Sequence, residues 1–341
     1  MRLFSWLIRR ISPQPIAVHY GSDVVRFMQI NNAKDHVIQD AIEVGLDDSS
    51  GITEALTSFK GRRCVVCLSP KDALIQHIRT ELNCSDEHIH TRLIKHDETW
   101  GNAEIRYVCV KTTGSGTNTG QELLCVGVNR TLSSNMVDTL ESAGARVIAV
   151  TVPLYASIRA FDSLYRRDGD EILTSMLIDM DERVSMVMIS HGANCVFAHC
   201  VESCSSKEKA MWEPEQKRNP SLLPISTPET SEGERRGEHN PRGLQGLQED
   251  NASEETKFVG ELERCLRHHD ALFPDRTIDR IIFTGCGAVN TQKCSAIASG
   301  LGISGYIADP SAWITGASEI AGGPSWTTTA GLCLRYAEMA A

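Results

Sequence analysis

A glycine-rich turn in the last third of the chain has the composition of an anion-binding loop. The turn at 284–288 (TGCGA) contains Gly285 and Gly287, follows an apolar run at 278–283, and precedes a segment with helical spacing. The run is typical of a buried strand. A strand, a glycine turn and a helix in this order let backbone N–H groups face an anion. The same arrangement also serves packing alone, so the turn needs support from other loops.

Two hairpins elsewhere in the chain are candidates for that support. The tripeptide 21–23 (GSD) separates two β-rich runs, which predicts a hairpin that could offer backbone N–H groups and the Ser22 hydroxyl to a phosphate. A plain hairpin explains the same pattern. Residues 171–189 predict a strand, a turn and a strand, and 194–201 predict a third strand in the same meander.

Composition sets the broad class. The chain has 341 residues, 41% hydrophobic and 23% charged, with a formal net charge of −10. This is ordinary for a globular protein of two or more domains, and the charge argues against a nucleic-acid partner. Most of the 12 cysteines, including Cys64, Cys67 and Cys109, lie in apolar runs, so we expect small buried side chains rather than metal or redox sites. Reduced thiols fit a cytosolic protein.

The N-terminus has an amphipathic pattern. On a helical wheel, Arg2 and Arg9 lie opposite one apolar face, which predicts a helix resting on anionic lipid with Trp6 at the boundary. A short helix packed on its own domain is the alternative. Neither a secretory signal nor a transmembrane run of 18 residues is evident. The apolar face consists of Leu3, Phe4, Leu7, Ile8 and Ile11.

The remaining patterns alternate between strands and helices, which predicts an α/β protein. Residues 73–82 are ambiguous between helix and strand. Residues 202–256 contain many Ser, Glu, Arg and Pro, and we expect them to form a disordered insertion, either a tether or a tolerated loop. The expected division is a leader at 1–14, a first subdomain starting at 15–60, an inserted subdomain at 61–150, continued core at 151–201, the insertion at 202–256, and a C-terminal subdomain at 257–341.

The order of these elements resembles the actin-like ATPases, a duplicated ribonuclease H-like α/β fold with two phosphate loops and an adenosine loop. Within that superfamily the chain is similar to the PilM family of type IV pilus assembly proteins, which is related to FtsA. Residues 19–26 resemble the first phosphate hairpin, 177–185 the second, and 279–287 the adenosine loop. Other matching segments are 66–69, 121–129, 136–149, 153–160, 195–201, 261–266 and 329–335.

The resemblance implies a nucleotide site, with ATP and Mg²⁺ as possible cofactors. Asp179 would orient the metal ion or water and is the one candidate for a catalytic role. The implied nucleotide contacts are Gly21, Ser22, Arg26, Asp179, Ser185, Gly285 and Gly287.

Three positions depart from the family pattern. His19 stands where the family has an Asp that helps to hold hydrated Mg²⁺, and imidazole is a poor substitute because Mg²⁺ prefers oxygen ligands. Asp181 replaces a glycine, so its carboxylate would repel phosphates and its β-carbon would block their approach. Cys286 lies between the two glycines. We therefore expect a degenerate site without efficient hydrolysis.

The family resemblance also implies a function and partners. PilM-like proteins are scaffolds at the cytoplasmic face of the inner membrane, where a groove near an inserted SHS2-type subdomain captures the cytoplasmic tail of a bitopic partner, PilN. Such binding rests on backbone pairing and side-chain pockets. The alternatives are a small-molecule kinase, which needs two intact phosphate loops and a base carboxylate, and an actin-like filament former of the cell-division type. A homo-oligomer is compatible with each.

Overall fold

The computed structural model describes residues 13–31, 37–114, 119–166, 169–203, 222–225, 254–312 and 322–340. The strands are β1 (Ile16–Tyr20), β2 (Val24–Ile30), β3 (Ile38–Gly45), β4 (Arg63–Cys67), β5 (Ala73–Glu81), β6 (Ala103–Thr113), β7 (Gly120–Asn129), β8 (Arg146–Thr151), β9 (Thr174–Asp179), β10 (Val184–His191), β11 (Asn194–Glu202), β12 (Leu222–Pro224), β13 (Arg280–Thr284) and β14 (Gly305–Ala308). The α-helices are α1 (Ser49–Ser58), α2 (Asp86–His96), α3 (Arg130–Ser142), α4 (Pro153–Ala160), α5 (Glu254–Leu272), α6 (Thr291–Leu301) and α7 (Thr327–Ala340).

Two sheets share one topology. In the first, with order β3-β2-β1-β4-β8, an antiparallel meander β1–β2–β3 continues into the parallel pairs β1–β4 and β4–β8. In the second, β9–β10–β11 form the meander, and β13 and β14 add the parallel strands. The short β12 pairs antiparallel with β14 at the far edge. The repeat of this strand pattern defines two lobes, and each lobe contains one copy of the pattern.

A separate three-stranded sheet is inserted between β4 and β8. Its order is β5-β7-β6, both pairs are antiparallel, and α2 packs on one face through Ile89 and Leu93. Ser85 caps α2, because its side chain accepts a hydrogen bond from the His88 N–H. The segment at 73–82, which the sequence left ambiguous, forms strand β5. Its apolar side chains alternate between two cores: Ala73 and Ile75 face the core shared by the lobes, and Leu74 and Ile78 face α2.

Two helices, α4 and α7, join the lobes. They cross so closely at Gly331 that a β-carbon there would overlap the carbonyl oxygen of Ala156 and the backbone of Ala160. Glycine is therefore required by the close approach rather than by backbone conformation. The buried core around this crossing takes side chains from both sheets, including Met28 of β2 and Leu177 of β9.

Two expectations need correction, and a third is confirmed. The insertion at 202–256 is not wholly without regular structure, because Leu222–Pro224 complete the free edge of β14, and α5 already begins at Glu254. Cys109 is exposed rather than buried, since β6 is an edge strand whose middle faces solvent. Cys64 and Cys67 are buried strand residues, as predicted.

Candidate functional site

The candidate site lies where strands of both lobes end. The hairpin after β1, the hairpin after β9 and the glycine turn after β13 lie together there, and Asp179 and Thr284 are paired partners on neighbouring parallel strands. Ligand sites of α/β proteins commonly lie at the carboxyl ends of strands. The two sheets therefore bring together the three loops that the sequence singled out.

The two hairpins contact each other directly. The Ser22 hydroxyl donates a 2.8 Å hydrogen bond to Oδ2 of Asp181, and Ser22 is only 3% exposed. Beside it, Arg183 Nη2 lies 3.5 Å from Oδ1 of Asp23, in an exposed ion pair. A hydroxyl that could contact a phosphate is thus hydrogen-bonded to the Asp181 carboxylate.

The glycine turn also packs on the second hairpin. Gly285 has φ +82°, and a β-carbon there would overlap the Met180 carbonyl oxygen. The Gly287 N–H donates to that oxygen at 2.8 Å, and the Gly285 N–H donates to the Pro324 carbonyl at 3.0 Å. Both amides that an anion would need are therefore bound within the protein.

Cys286 lies between these glycines and turns toward the same carboxylate. Its Sγ is 3.4 Å from Oδ1 of Asp181. Burial, followed by the charge of Asp181, raises the pKa of the Cys286 thiol to about 12. The thiol is protonated at neutral pH, which makes it a weak hydrogen-bond donor rather than a nucleophile.

Asp179 is buried at the carboxyl end of β9. The Thr328 hydroxyl donates to its Oδ2 at 2.7 Å, and the Ser157 hydroxyl lies 3.1 Å from the same oxygen. Burial raises the pKa of Asp179, the hydrogen bond from Thr328 opposes the rise, and the nearby charge of Asp181 adds to it. The carboxylate is held by both bridging helices rather than directed to open solvent.

His19 and Arg26 lie opposite each other on β1 and β2. His19 Nδ1 is 3.3 Å from the Thr329 hydroxyl, while its Nε2 has no partner among the residues described. Burial, then the charge of Arg26, lowers the pKa of His19 to about 4, so the ring is neutral at pH 7. Arg26 pairs with Glu43 at 2.8 Å and stacks over the Trp326 ring at 5.9 Å.

Ser185 does not join this cluster. Asp179 pairs with Met186 across the β9–β10 ladder, so the neighbouring Ser185 points to the opposite face. Its hydroxyl lies 2.6 Å from that of Ser203. The implied contact between Ser185 and a nucleotide is thus not supported by the geometry.

Several residues of the cluster were missed at the sequence level. Ser157 on α4 and Thr328 and Thr329 on α7 all face the strand ends. The run of three threonines at 327–329 was a usable signal, because consecutive β-branched hydroxyls are unusual at the start of a buried helix. The leader residues Leu3, Phe4, Trp6, Leu7 and Ile8 lie outside the described residues.

A second concave region lies between the first lobe and the inserted sheet. It has a volume of about 720 Å³ and lies beside β8, the edge strand of the first sheet. Its walls combine apolar groups such as Val126, Val137 and Tyr155 with the charged Arg106 and Asp138. An edge strand beside a groove with both apolar and charged lining is a suitable surface for an extended peptide.

Comparison with known proteins identifies the fold. No family model matches the sequence, and no curated protein matches it. A solved structure of the PilM–PilN type IV pilus biogenesis complex aligns over 95% of this chain and 98% of that one, with a TM-score of 0.65 and 10% identity. A Bacteroides thetaiotaomicron protein with an actin-like ATPase fold and unknown function aligns over 87% and 91%, with a TM-score of 0.49 and 9% identity.

The cytoplasmic domain of EpsL, an inner-membrane component of the Vibrio cholerae type II secretion system, aligns over 55% of this chain and 71% of that one, with a TM-score of 0.39 and 13% identity. The chain has the actin-like ATPase fold, as the sequence predicted. At these identities the likeness concerns the fold. Among the helices that the structure describes, none combines the length and the apolar character needed to span a membrane.

Proposed function

We propose that this chain is a scaffold of a type IV pilus or type II secretion-like assembly, and that it binds the cytoplasmic tail of a bitopic inner-membrane partner similar to PilN. The observation that carries the proposal is the groove between β8 and the inserted sheet. The likeness to the protein of the PilM–PilN complex supports it. The inserted sheet is then a subdomain of SHS2 type.

The groove suits a short peptide in extended conformation. The free edge of β8 offers backbone donors and acceptors, and Val126, Val128 and Val137 offer apolar contacts. Arg106 on one side and Asp138 on the other can fix the peptide's direction through charge. Binding of this kind needs no chemical step.

We infer further that the ATP site is degenerate, so Mg-ATP does not fit the cleft between the hairpins. Asp181 puts a carboxylate against Ser22, and the amides of Gly285 and Gly287 are engaged elsewhere. Asp179, the carboxylate proposed to orient Mg²⁺, is bound by Thr328 and Ser157. Nucleotide exchange is then not part of the working cycle.

In this proposal, the N-terminal leader at 1–14 attaches the scaffold to the surface of the inner membrane. Its apolar face and its two flanking arginines fit an anionic lipid surface. Sedimentation with anionic vesicles tests this: the chain without residues 1–13 should bind less, and equal binding would contradict it.

The groove is tested by charge insertion. Val137→Glu places a carboxylate among apolar lining groups and should weaken binding of a synthetic peptide, the cytoplasmic tail of the PilN-like protein from the same genome, by roughly 10-fold or more. Asn135→Glu, on an exposed position of the same helix, is the matched control and should bind as the wild type does. Fluorescence anisotropy measures both. Equal affinity of the peptide for the two variants would contradict the groove as the peptide-binding site.

A further inference from the structure

Three potential metal ligands meet where the inserted sheet contacts the second lobe. His77 on β5, Glu122 on β7 and His268 on α5 each offer one ligand atom, and these atoms all lie within 4.8 Å of one another. His77 and Glu122 lie on one face of the inserted sheet, because Glu122 pairs with Arg79, two residues beyond His77. None of the three residues belongs to the candidate nucleotide loops.

The His77 ring is fixed and partly unsatisfied. It stacks on Phe197 with centroids 5.0 Å apart and a 20° angle, and its side chain is only 8% exposed. Its Nδ1 has no hydrogen-bond partner within the described structure, and the nearest carboxylate oxygen, Glu122 Oε1, is 4.0 Å away. A buried imidazole nitrogen without a partner is uncommon, and this one faces a carboxylate across a gap suited to an ion.

We propose that His77, Glu122 and His268 bind a divalent transition metal ion, with Zn²⁺ as the best match. Two imidazoles and one carboxylate form a recurrent zinc ligand set, which leaves a fourth position for water. Ligand atoms around a tetrahedral zinc ion are roughly 3.3 Å apart. The groups therefore need to approach by up to about 1.5 Å, which a rotation of the exposed His268 side chain can provide.

The protonation states are compatible with this role. Burial, then the charges of His268 and His199, lowers the pKa of His77 to about 4, so the ring is neutral at pH 7. The Ala198 N–H lies 3.4 Å from His77 Nε2, a long hydrogen bond. A metal on Nδ1 moves the ring proton to Nε2 and breaks that bond, which is a small loss beside coordination.

Arg79 lies beside the Glu122 carboxylate and affects its charge. Its Nε lies 3.9 Å from Glu122 Oε2, the oxygen that does not face His77, and its side chain is 69% exposed. The guanidinium orients Glu122 but also lowers the negative charge available to a metal. Arg79→Ala should therefore tighten metal binding, whereas loss of a purely structural pair would leave it unchanged.

Cobalt(II) and zinc(II) titration of the full chain, kept reduced, tests the site. Co²⁺ should bind with visible d–d absorption and without sulfur-to-metal charge transfer, which separates this site from the cysteines. Zn²⁺ should displace it and raise the melting temperature by a few degrees. His268→Ala and Glu122→Gln should each weaken Zn²⁺ affinity by at least roughly 10-fold.

His96→Ala, at an exposed position of α2, is the control and should bind as the wild type does. Because His268 is exposed, its replacement leaves the folded core intact even if a His77 variant does not fold. Wild-type affinity in His268→Ala and Glu122→Gln, a cobalt spectrum of thiolate type, or no binding at all would overturn the proposal.

Discussion

The residue that decides the chemistry of the cleft is Asp181. Its two oxygens contact Ser22 and Cys286, one from each lobe, and its charge also raises the pKa of Asp179. A phosphate in the same place would meet a fixed negative charge at short range. Asp181 thus contacts Cys286 directly, and its charge also acts on His19, so the residues at these three positions interact.

Mg-ATP should not stabilise the wild-type protein. A ligand that binds the folded state raises the melting temperature, so a shift no larger than that with Mg²⁺ alone is expected at millimolar Mg-ATP. Differential scanning fluorimetry measures the shift. The variant His19→Asp/Asp181→Gly introduces an oxygen ligand for Mg²⁺ and removes the opposing carboxylate, and it is expected to show a larger shift than the wild type.

A rise of several degrees in the melting temperature of the wild-type chain with Mg-ATP would contradict a degenerate site. Such a rise corresponds to roughly 1–3 kcal/mol of stabilisation by the bound ligand. Phosphate transfer to an acceptor hydroxyl under the same conditions would support the kinase alternative instead.

At the scale of elements, the α4–α7 crossing depends on one glycine. Gly331→Ala puts a methyl group against the backbone of α4, so the helices must separate, and we expect a loss of roughly 1–3 kcal/mol in the free energy of unfolding. Urea denaturation measures it. Gly260→Ala, at a position on α5 with open space around the β-carbon, is the control and should be neutral or stabilising by about 0.5–1 kcal/mol.

Equal effects of the two substitutions would mean that α7 adjusts its position without cost. That result would contradict the close approach as the reason for glycine at 331.

Local pattern predicted most elements but not the contacts between them. The hairpin at 21–23 and the strand before Gly285 follow from alternation and turn chemistry, which act within a few residues. The bond between Thr328 and Asp179 joins residues 149 positions apart, and no local signal specifies it. Strand β12 was missed because its stability comes from the edge of β14, while its own surroundings read as polar and proline-rich.

Over the whole molecule, partly buried histidines should make stability depend on pH. Burial is the main cause that lowers the pKa of His77 and of His191 to about 4, below the usual 6.5. The unfolded chain therefore takes up protons first, and stability should be constant above about pH 6.5 and fall as the pH decreases toward 4.

Urea midpoints between pH 7.5 and 4.5 measure this dependence. His77→Gln/His191→Gln should flatten the fall, whereas His96→Gln at the exposed control position should not. If the urea midpoints of the wild type and the double variant fell equally with decreasing pH, carboxylates rather than these imidazoles would cause the loss of stability at acid pH.

The bond between Ser22 and Asp181 has a mechanical consequence. A body held at two points can turn only about the line that joins them, and the lobes are held at this bond and at the Gly331 crossing. The stacking of the His77 ring on Phe197 is a third contact between the lobes, and a contact away from that line opposes the remaining rotation. Turning one lobe against the other would therefore require at least one of these three contacts to break.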